Sequence, residues 1–256
     1  MKKNENHFEV TLLIAAAGKG SRMGYPELPK ALVAFQGKTL VEWATINMRK
    51  VIQKGILVTR PEQENKFRKI LNDWNWDDFS FAIQETPLGT AFAVQQGLNK
   101  VQTNWVLCVW GDHIGARYLK IEKLLSEIDN PDVDFILPTV ERDEPYVYFH
   151  LNDHSNYLKF EETKNGSTVQ SRGQSDCGLF LFRRKIVKDY LDRKLEKYDS
   201  SFKGEINFLS LFHDMNNAGI LFKLIEFCDE RLTIGINSKE DIFTYEETLE
   251  MDDIHE

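Results

Sequence analysis

The sequence predicts an α/β protein: a Rossmann-like mixed, mostly parallel sheet with helices on both faces and a small antiparallel β excursion. Three observations carry this. Apolar runs rich in Val, Ile and Leu alternate with amphipathic stretches through the first half, as parallel strands buried by crossover helices require. After Glu141 the pattern changes to two short strand-like segments around Asn-Asp-His-Ser-Asn, residue types that favour a turn. No Pro/Ser-rich linker, internal repeat or low-complexity tract interrupts the chain, so residues 1–256 read as a single domain.

In order, the apolar runs place strands at Val10–Ala16, Ile56–Thr59, Phe81–Ile83, Trp105–Trp110 and Phe135–Val140. The intervening amphipathic stretches place helices near Thr39–Lys50, Glu62–Asn72, Gly89–Asn99 and Tyr118–Ile128. Tyr146–Leu151 and Tyr157–Glu162 form the antiparallel pair. Lys164–Gln174 is polar, carries Gly166 and Gly173, and is expected to cross the surface before a strand at Gly178–Phe182 returns to the sheet. Helices near Ile186–Leu195 and Glu205–Asn216, a strand at Leu221–Glu226 and a helix after Asn237 complete the reading.

Thirty-two Lys plus Arg against forty Asp plus Glu gives 32 − 40 = −8. Such a balance argues against nucleic acid and anionic membranes as partners, because both need a basic surface. An anionic ligand must then be gripped locally. Cys108, Cys177 and Cys228 lie far apart without CxxC spacing, which suits a reducing cytoplasm. The opening MKKNENHFEV lacks the apolar core of a signal peptide, and no apolar run reaches membrane-spanning length. The expected location is cytoplasmic, and self-association is left open.

The first strand runs directly into Ala17-Gly18-Lys19-Gly20-Ser21-Arg22-Met23-Gly24. Glycines after a strand remove Cβ atoms, so that backbone N–H groups can approach a phosphate, and Lys19 and Arg22 add cationic donors. The loop is neither a Walker A motif, because Gly20 separates Lys19 from Ser21, nor a GxGxxG fingerprint, because Met23 stands where glycine is needed. A plain strand exit can look similar. Pro29-Lys30 follows, and although a lone lysine is usually a solvated charge, one fixed behind a proline near such a loop is placed to hold a polyphosphate.

Ile14-Ala15-Ala16-Ala17-Gly18-Lys19-Gly20-Ser21-Arg22-Met23 and Pro29-Lys30-Ala31-Leu32 together resemble the signature of the sugar-phosphate nucleotidyltransferases, A-A-G-x-G-[ST]-R-M followed by P-K. The resemblance is closest to the N-terminal pyrophosphorylase domain of bifunctional N-acetylglucosamine-1-phosphate uridylyltransferases. It continues through Gln84-Glu85-Thr86-Pro87-Leu88-Gly89-Thr90-Ala91, similar to the base-recognition segment, and Trp110-Gly111-Asp112, similar to the metal-binding G-D. Phe160-Glu161-Glu162 resembles the sugar-contacting V-E-E stretch, Asp176-Cys177-Gly178 stands where the family has N-T-G, and Gly235-Ile236-Asn237 matches G-V-N. Nothing in the chain has hexapeptide periodicity, so the resemblance implies a stand-alone pyrophosphorylase-type domain, with residues 1–140 as nucleotide-binding half and 141–256 as sugar-phosphate-binding half.

The implied reaction joins a nucleoside triphosphate, UTP by preference, to a sugar 1-phosphate and releases pyrophosphate. The nucleophile is an already ionised phosphate oxygen, so the task is positioning and charge neutralisation. By the resemblance, Arg22 and Lys30 stabilise the departing pyrophosphate, while Ala16, Ala17, Gly18, Lys19 and Gly20 hold the nucleotide. Gln84, Gly89 and Thr90 read the base. Asp112, counted with Arg22 and Lys30 as catalytic, shares with Asn237 the ligation of Mg²⁺, a cation that prefers oxygen ligands and keeps several waters. Glu161, Cys177 and Tyr148 are the expected sugar contacts. This half departs from the family, with Tyr146-Val147-Tyr148-Phe149-His150 in place of a glycine-rich segment and a thiol within the N-T-G position. Two alternatives therefore stand: a cytidylyltransferase for a phosphorylated alcohol such as phosphocholine, held by aromatic rings, and a nucleotide-sugar-binding regulator without turnover.

Overall fold

The computed structural model describes residues 9–18, 20, 23–24, 28–71, 76, 78–143, 145, 147–152, 157–162, 172–198 and 204–248. β1 (Val10–Ala15) opens the sheet. A tight hairpin of β2 (Ala34–Phe35) and β3 (Lys38–Thr39) turns through Gln36 and Gly37, both at positive φ, and feeds α1 (Leu40–Thr45). There follow β4 (Lys54–Thr59), α2 (Pro61–Ile70), β5 (Asp78–Ile83), α3 (Thr90–Leu98), β6 (Trp105–Trp110), α4 (Ile121–Leu125) and the long β7 (Phe135–Asp143). The second half contributes β8 (Val147–Asn152), β9 (Tyr157–Glu162), β10 (Arg172–Asp176), β11 (Leu179–Arg183), α5 (Arg184–Leu195), α6 (Phe212–Asn217), β12 (Phe222–Phe227) and α7 (Lys239–Thr248).

Ten strands form one mixed sheet in the order β5-β4-β1-β6-β11-β7-β10-β8-β9, with β12 on the other side of β7. β5, β4, β1 and β6 run parallel, β11 is antiparallel to both β6 and β7, and β12 is parallel to β7. β7 changes partner along its length: Phe135 and Ile136 pair with β11, whereas Thr139–Asp143 pair with β10. Pro138 sits at the changeover, where a residue without an N–H costs no ladder bond on that side. β8 and β9 extend the sheet antiparallel beyond β10.

β1 shows why both faces are covered. Leu12 and Ile14 face one apolar cluster with α1, α2 and α4, while Leu13 faces the other with α3, α5 and α6; all three are fully buried. Each such side chain contributes about 1.5–3 kcal/mol relative to exposure. The second cluster centres on Phe135, whose ring lies 4.7 Å from Phe222, 5.0 Å from Phe212 and 5.2 Å from Phe182. A third, smaller cluster gathers Phe35, Leu40, Trp43, Ile114 and Ile236, and so supports the loops that carry the site.

The structure corrects several expected elements. The helix expected over Thr39–Lys50 is α1 followed by a separate 3₁₀ turn at Met48–Lys50, because Lys38 and Thr39 pair with β2 and Thr39 then caps α1. Thr39 and Glu42 form a reciprocal capping box, with the Glu42 N–H donating to Thr39 Oγ1 at 3.3 Å and the Thr39 N–H to Glu42 Oε2 at 2.7 Å. Thr39→Ala is expected to lower the unfolding free energy by about 1 kcal/mol, measurable by urea denaturation. The expected Tyr118–Ile128 helix divides into a 3₁₀ turn at Ile114–Tyr118 and α4. The Glu205–Asn216 helix begins only at a 3₁₀ turn over Leu209–Leu211, because the preceding residues run along the start of α3 instead. The end of the expected Lys164–Gln174 surface crossing is strand β10, which has no apolar residue and earns its place through backbone pairing with β7; residues 163–171 lie outside the described residues. Among the described residues no helix is long and apolar enough to cross a membrane.

Candidate active site

β1 ends in Ala16-Ala17-Gly18, and Ala16 N–H donates to the Val58 carbonyl at 2.9 Å, which ties the loop to β4. Gly20 has φ +62°, and a Cβ there would stand 2.8 Å from Lys30 Cβ. A side chain at position 20 would displace Lys30, so this glycine allows the loop and the lysine to share one wall. Lys19 and Arg22 lie outside the described residues.

Lys30 begins a 3₁₀ turn after Pro29. Its Nζ donates to Asn237 Oδ1 at 2.9 Å and pairs with the Asp112 carboxylate. Three expected site residues from distant parts of the chain therefore meet at one ammonium group. Asp112 reaches it from the end of β6, where the Gly111 N–H donates to the Ala15 carbonyl at 3.0 Å and no side chain keeps the backbone from Ala16 and Ala31. Asn237 is delivered by the Ile236 N–H, bonded to the Asp112 carbonyl at 3.0 Å, and by the cap of α7. There Ser238 N–H donates to Asp241 Oδ2 at 3.0 Å, Asp241 N–H returns to Ser238 Oγ at 3.2 Å, and Asn237 N–H also donates to Asp241.

The donor set fits a hard divalent cation. Asp112 Oδ2 and Asn237 Oδ1 are both oxygen atoms held against the same positive charge. Among the described residues no group of three or more His, Cys, Asp or Glu side chains is assembled for a metal. Two protein oxygens would leave the remaining positions to phosphate and water, the ligand balance Mg²⁺ favours.

Gln84 follows β5 and is buried; its Nε2 donates to the Gly89 carbonyl at 3.0 Å. A carbonyl only accepts, so this contact fixes which end of the amide faces it. Gly89 has φ +101°, and a Cβ there would lie 2.4 Å from the Ile206 carbonyl oxygen. The close approach lets Ile206 N–H donate to the Leu88 carbonyl at 2.8 Å, while Ala91 N–H donates to the Ile206 carbonyl at 3.0 Å. Thr90 Oγ1 accepts from Phe208 N–H at 2.8 Å and bonds Asn207 Oδ1 at 3.2 Å. The Thr90 hydroxyl is thus committed to clasping the 205–208 segment, which leaves its backbone for any contact with a base.

Of the three expected sugar contacts, the structure places two, Cys177 and Tyr148, away from the cavity. Cys177 is fully buried in the core and does not line the cavity, and burial pushes its thiol pKa well up. Tyr148 also does not line the cavity; its ring covers Gly173, where a Cβ would come within 2.0 Å of it. The Glu161 side chain lies outside what is described, as does Tyr146. Asp176 and Arg142, which the sequence reading did not single out as site residues, line this side of the cavity. Asp176 is half-buried in the wall, and its Oδ2 accepts from Gly178 N–H at 3.2 Å. Burial raises its pKa, opposed by His113, by the N–H groups of Gly178 and of Asp176 itself, and by Arg142. The His113 ring packs on Gly178 and donates from Nε2 to the Leu232 carbonyl at 2.8 Å. Gly178, at φ +64°, has no room for a Cβ, which would lie 2.4 Å from that ring. The only sequence signal for Asp176 was its place beside Cys177; Arg142 had none, being one charge among several at the end of β7.

These walls enclose a cavity of about 750 Å³ that runs from Ala16, Ala17, Gly18, Gly20, Lys30, Asp112 and Asn237 to Gln84 on one side and Arg142 and Asp176 on the other. A mostly parallel sheet whose strand ends gather a glycine turn, a lysine, an aspartate and an asparagine around one cleft is the arrangement of the nucleotidyltransferase class of protein. The chain belongs to the MobA-like NTP transferase domain family, whose model matches residues 12–175. It is 28% identical over 247 residues to the bifunctional protein GlmU of Thermotoga sp. (strain RQ2), covering 95% of this chain and 52% of that protein. The chain therefore spans about half the length of the curated relatives it matches. Its fold is similar to the inositol-1-phosphate CTP transferase from T. maritima, with TM-score 0.70 and 19% identity over 90% of each chain. It is similar also to 4-diphosphocytidyl-2C-methyl-D-erythritol synthase from Anaerococcus prevotii, with TM-score 0.62 and 17% identity over 93% of this chain and 97% of that one.

Proposed function

We propose that the protein transfers a nucleotidyl group from UTP to a sugar 1-phosphate, forming a UDP-sugar and pyrophosphate. The observation that carries this reading is the meeting of Lys30, Asp112 and Asn237 in the cavity beside the Gly20 turn. A phosphate oxygen of the acceptor attacks the α-phosphorus in line, the α–β bond breaks, and the pyrophosphate leaves with its electron pair. No proton needs to be taken from the nucleophile, which agrees with a site that offers cations and positioning groups. Lys30 neutralises charge on the β and γ phosphates, Arg22 assists it, and the Ala16–Gly20 backbone, with Lys19, cradles the triphosphate. Asp112 and Asn237 would hold Mg²⁺, which supplies neutralisation of the phosphate oxygens when bound. Glu161 would accept from hydroxyls of the bound sugar.

Gln84 reads the base edge. With Nε2 engaged by Gly89, its Oε1 is available to accept and one N–H is left to donate. This pair matches N3–H and O4 of uracil or thymine and, in reverse order, the N4 amino group and N3 of cytosine, so the choice of UTP rests on the resemblance to the uridylyltransferases. Gln84→Leu is expected to reduce kcat/KM for the preferred nucleotide by about 10- to 100-fold, the 1–3 kcal/mol of a buried partner left unpaired. Pyrophosphate release with UTP, CTP and dTTP, each with Mg²⁺ and a panel of sugar 1-phosphates and phosphocholine, tests the whole reading. Release that requires UTP and a sugar 1-phosphate is expected; a CTP-only or phosphocholine-only response would replace it with the cytidylyltransferase alternative. Tight nucleotide binding without release from any pair would replace it with the regulator.

A further inference from the structure

We infer that the Lys30 ammonium competes with the divalent cation for Asp112 and Asn237, so that the metal is held tightly only once the phosphates of a nucleotide have drawn the ammonium away; this rests on the nucleotidyl-transfer reading above, which makes those two residues its ligands. The two oxygens suited to the cation are the same two that Lys30 engages. Its Nζ donates to Asn237 Oδ1 at 2.9 Å and pairs with Asp112 Oδ2. All three residues line the cavity, and at 13% and 29% exposure the Lys30 and Asp112 side chains are only partly screened by water.

An ammonium and a divalent ion make rival claims on such a pair. The ammonium directs its N–H groups at the oxygen lone pairs, and a metal ion needs those lone pairs for itself. The Asn237 amide offers a single oxygen, so a metal ion on it would stand beside the ammonium, and like charges repel more strongly where water only partly reaches them. Mg²⁺ also gives up its waters reluctantly. It gains little from a carboxylate whose charge Lys30 already balances.

The ammonium has a second partner within reach. Lys30 begins its 3₁₀ turn behind Pro29, which fixes the backbone, and its Cβ lies against the Gly20 turn, where a side chain at position 20 would stand 2.8 Å away. From that anchor the flexible four-carbon stem can carry its point charge from Asp112 to an anion held along Gly18 and Gly20, which line the same cavity. A triphosphate offers more negative charge than one carboxylate. One movement of Lys30 then neutralises the phosphates and bares Asp112 Oδ2 and Asn237 Oδ1 for the metal. Because such coupling is reciprocal, Lys30 also keeps the nucleotide-free protein from collecting divalent ions.

The test measures Mn²⁺ binding to the full chain without nucleotide, from the electron paramagnetic resonance signal of free Mn²⁺, in the wild type, Lys30→Met, Asp112→Ala and the Lys30→Met/Asp112→Ala double variant. Lys30→Met is expected to bind Mn²⁺ about tenfold or more tightly than the wild type, although the same substitution lowers turnover. The gain should vanish in the double variant. Mn²⁺ should also raise the melting temperature of Lys30→Met more than that of the wild type, because a ion bound only by the native state stabilises it. If Lys30→Met fails to fold, Lys30→Gln, which also removes the charge, is read in the same way. A lysine that merely shaped the site would give the opposite sign, since a disturbed site binds metal less well. Equal or weaker Mn²⁺ binding on loss of the Lys30 charge, or a gain that persists in the double variant, overturns the competition; pyrophosphate release by the wild type then leaves the transferase reading in place. Mn²⁺ binding indifferent to Asp112 in both backgrounds, together with no pyrophosphate release from any nucleotide and acceptor, overturns both.

Discussion

Asp112→Ala is expected to lower turnover by about 10³-fold or more, the several kcal/mol of charge stabilisation a catalytic divalent cation supplies, while the protein still folds. The carboxylate comes at the end of β6 and meets Lys30, which in turn holds Asn237. On the proposed reading its removal takes away the one formal negative charge of the two oxygens that would hold the cation, and an amide oxygen alone is a weak site for a cation that gives up water reluctantly. The backbone that positions residue 112 is held independently by Gly111 N–H on Ala15 and by Ile236 N–H on the Asp112 carbonyl, so the loop should persist. Two measurements check this: pyrophosphate release under saturating UTP and Mg²⁺, and Mn²⁺ binding followed by paramagnetic relaxation. Undiminished turnover, or unchanged Mn²⁺ affinity, would remove Asp112 from the metal site.

Lys30→Met is expected to lower kcat/KM by about 10²–10³-fold, the typical loss of one pre-placed donor at a charge-developing centre. Methionine preserves much of the stem that packs against Gly20 while deleting the ammonium. The loss should appear in both directions of the reaction, because the same cation stabilises pyrophosphate as it leaves and as it returns. Lys30→Arg separates charge from shape. A planar guanidinium is not a point charge, and Gly20 leaves little room beside the stem. Partial activity is expected from Arg and very little from Met; equal activity in both, measured by pyrophosphorolysis of a UDP-sugar, would show that the ammonium does not act on the phosphates.

The apolar strands were legible because each carries its own signal. Val10–Ala15 and Trp105–Trp110 are buried on both faces and read as nearly continuous hydrophobic runs, broken only by Thr11. β10 was not, since Arg172-Gly173-Gln174-Ser175-Asp176 is polar throughout and is a strand only because β7 lies beside it. The β2–β3 hairpin escaped for a related reason: two residues per strand are too few for any period to show, although Gln36-Gly37 marks its turn. Helix ends were misplaced where a neighbouring segment claimed the backbone, as Ile206 does when it bonds Leu88 and Ala91.

The site divides along the same line. Nucleotide-side residues stand in short local motifs, a glycine turn after a strand, a lysine after a proline, an aspartate after a buried strand, and local order is enough to mark them. On the side of Arg142 and Asp176 the motif Asp176-Cys177-Gly178 does not by itself say which side chain meets the cavity. That Asp176 lines the cavity while Cys177 is buried in the core depends on how the end of β10 meets the turn at Gly178, a tertiary arrangement no residue type announces. Sequence alone determined the class of fold and marked the glycine turn, Lys30, Asp112 and Asn237 as candidates, because those follow from hydrophobic period and from residue type at fixed spacing. Tertiary structure alone decided that Lys30, Asp112 and Asn237 converge on one point and that Asp176 and Arg142 line the same cavity, because contacts between segments as many as 207 positions apart are set by how the sheet is assembled.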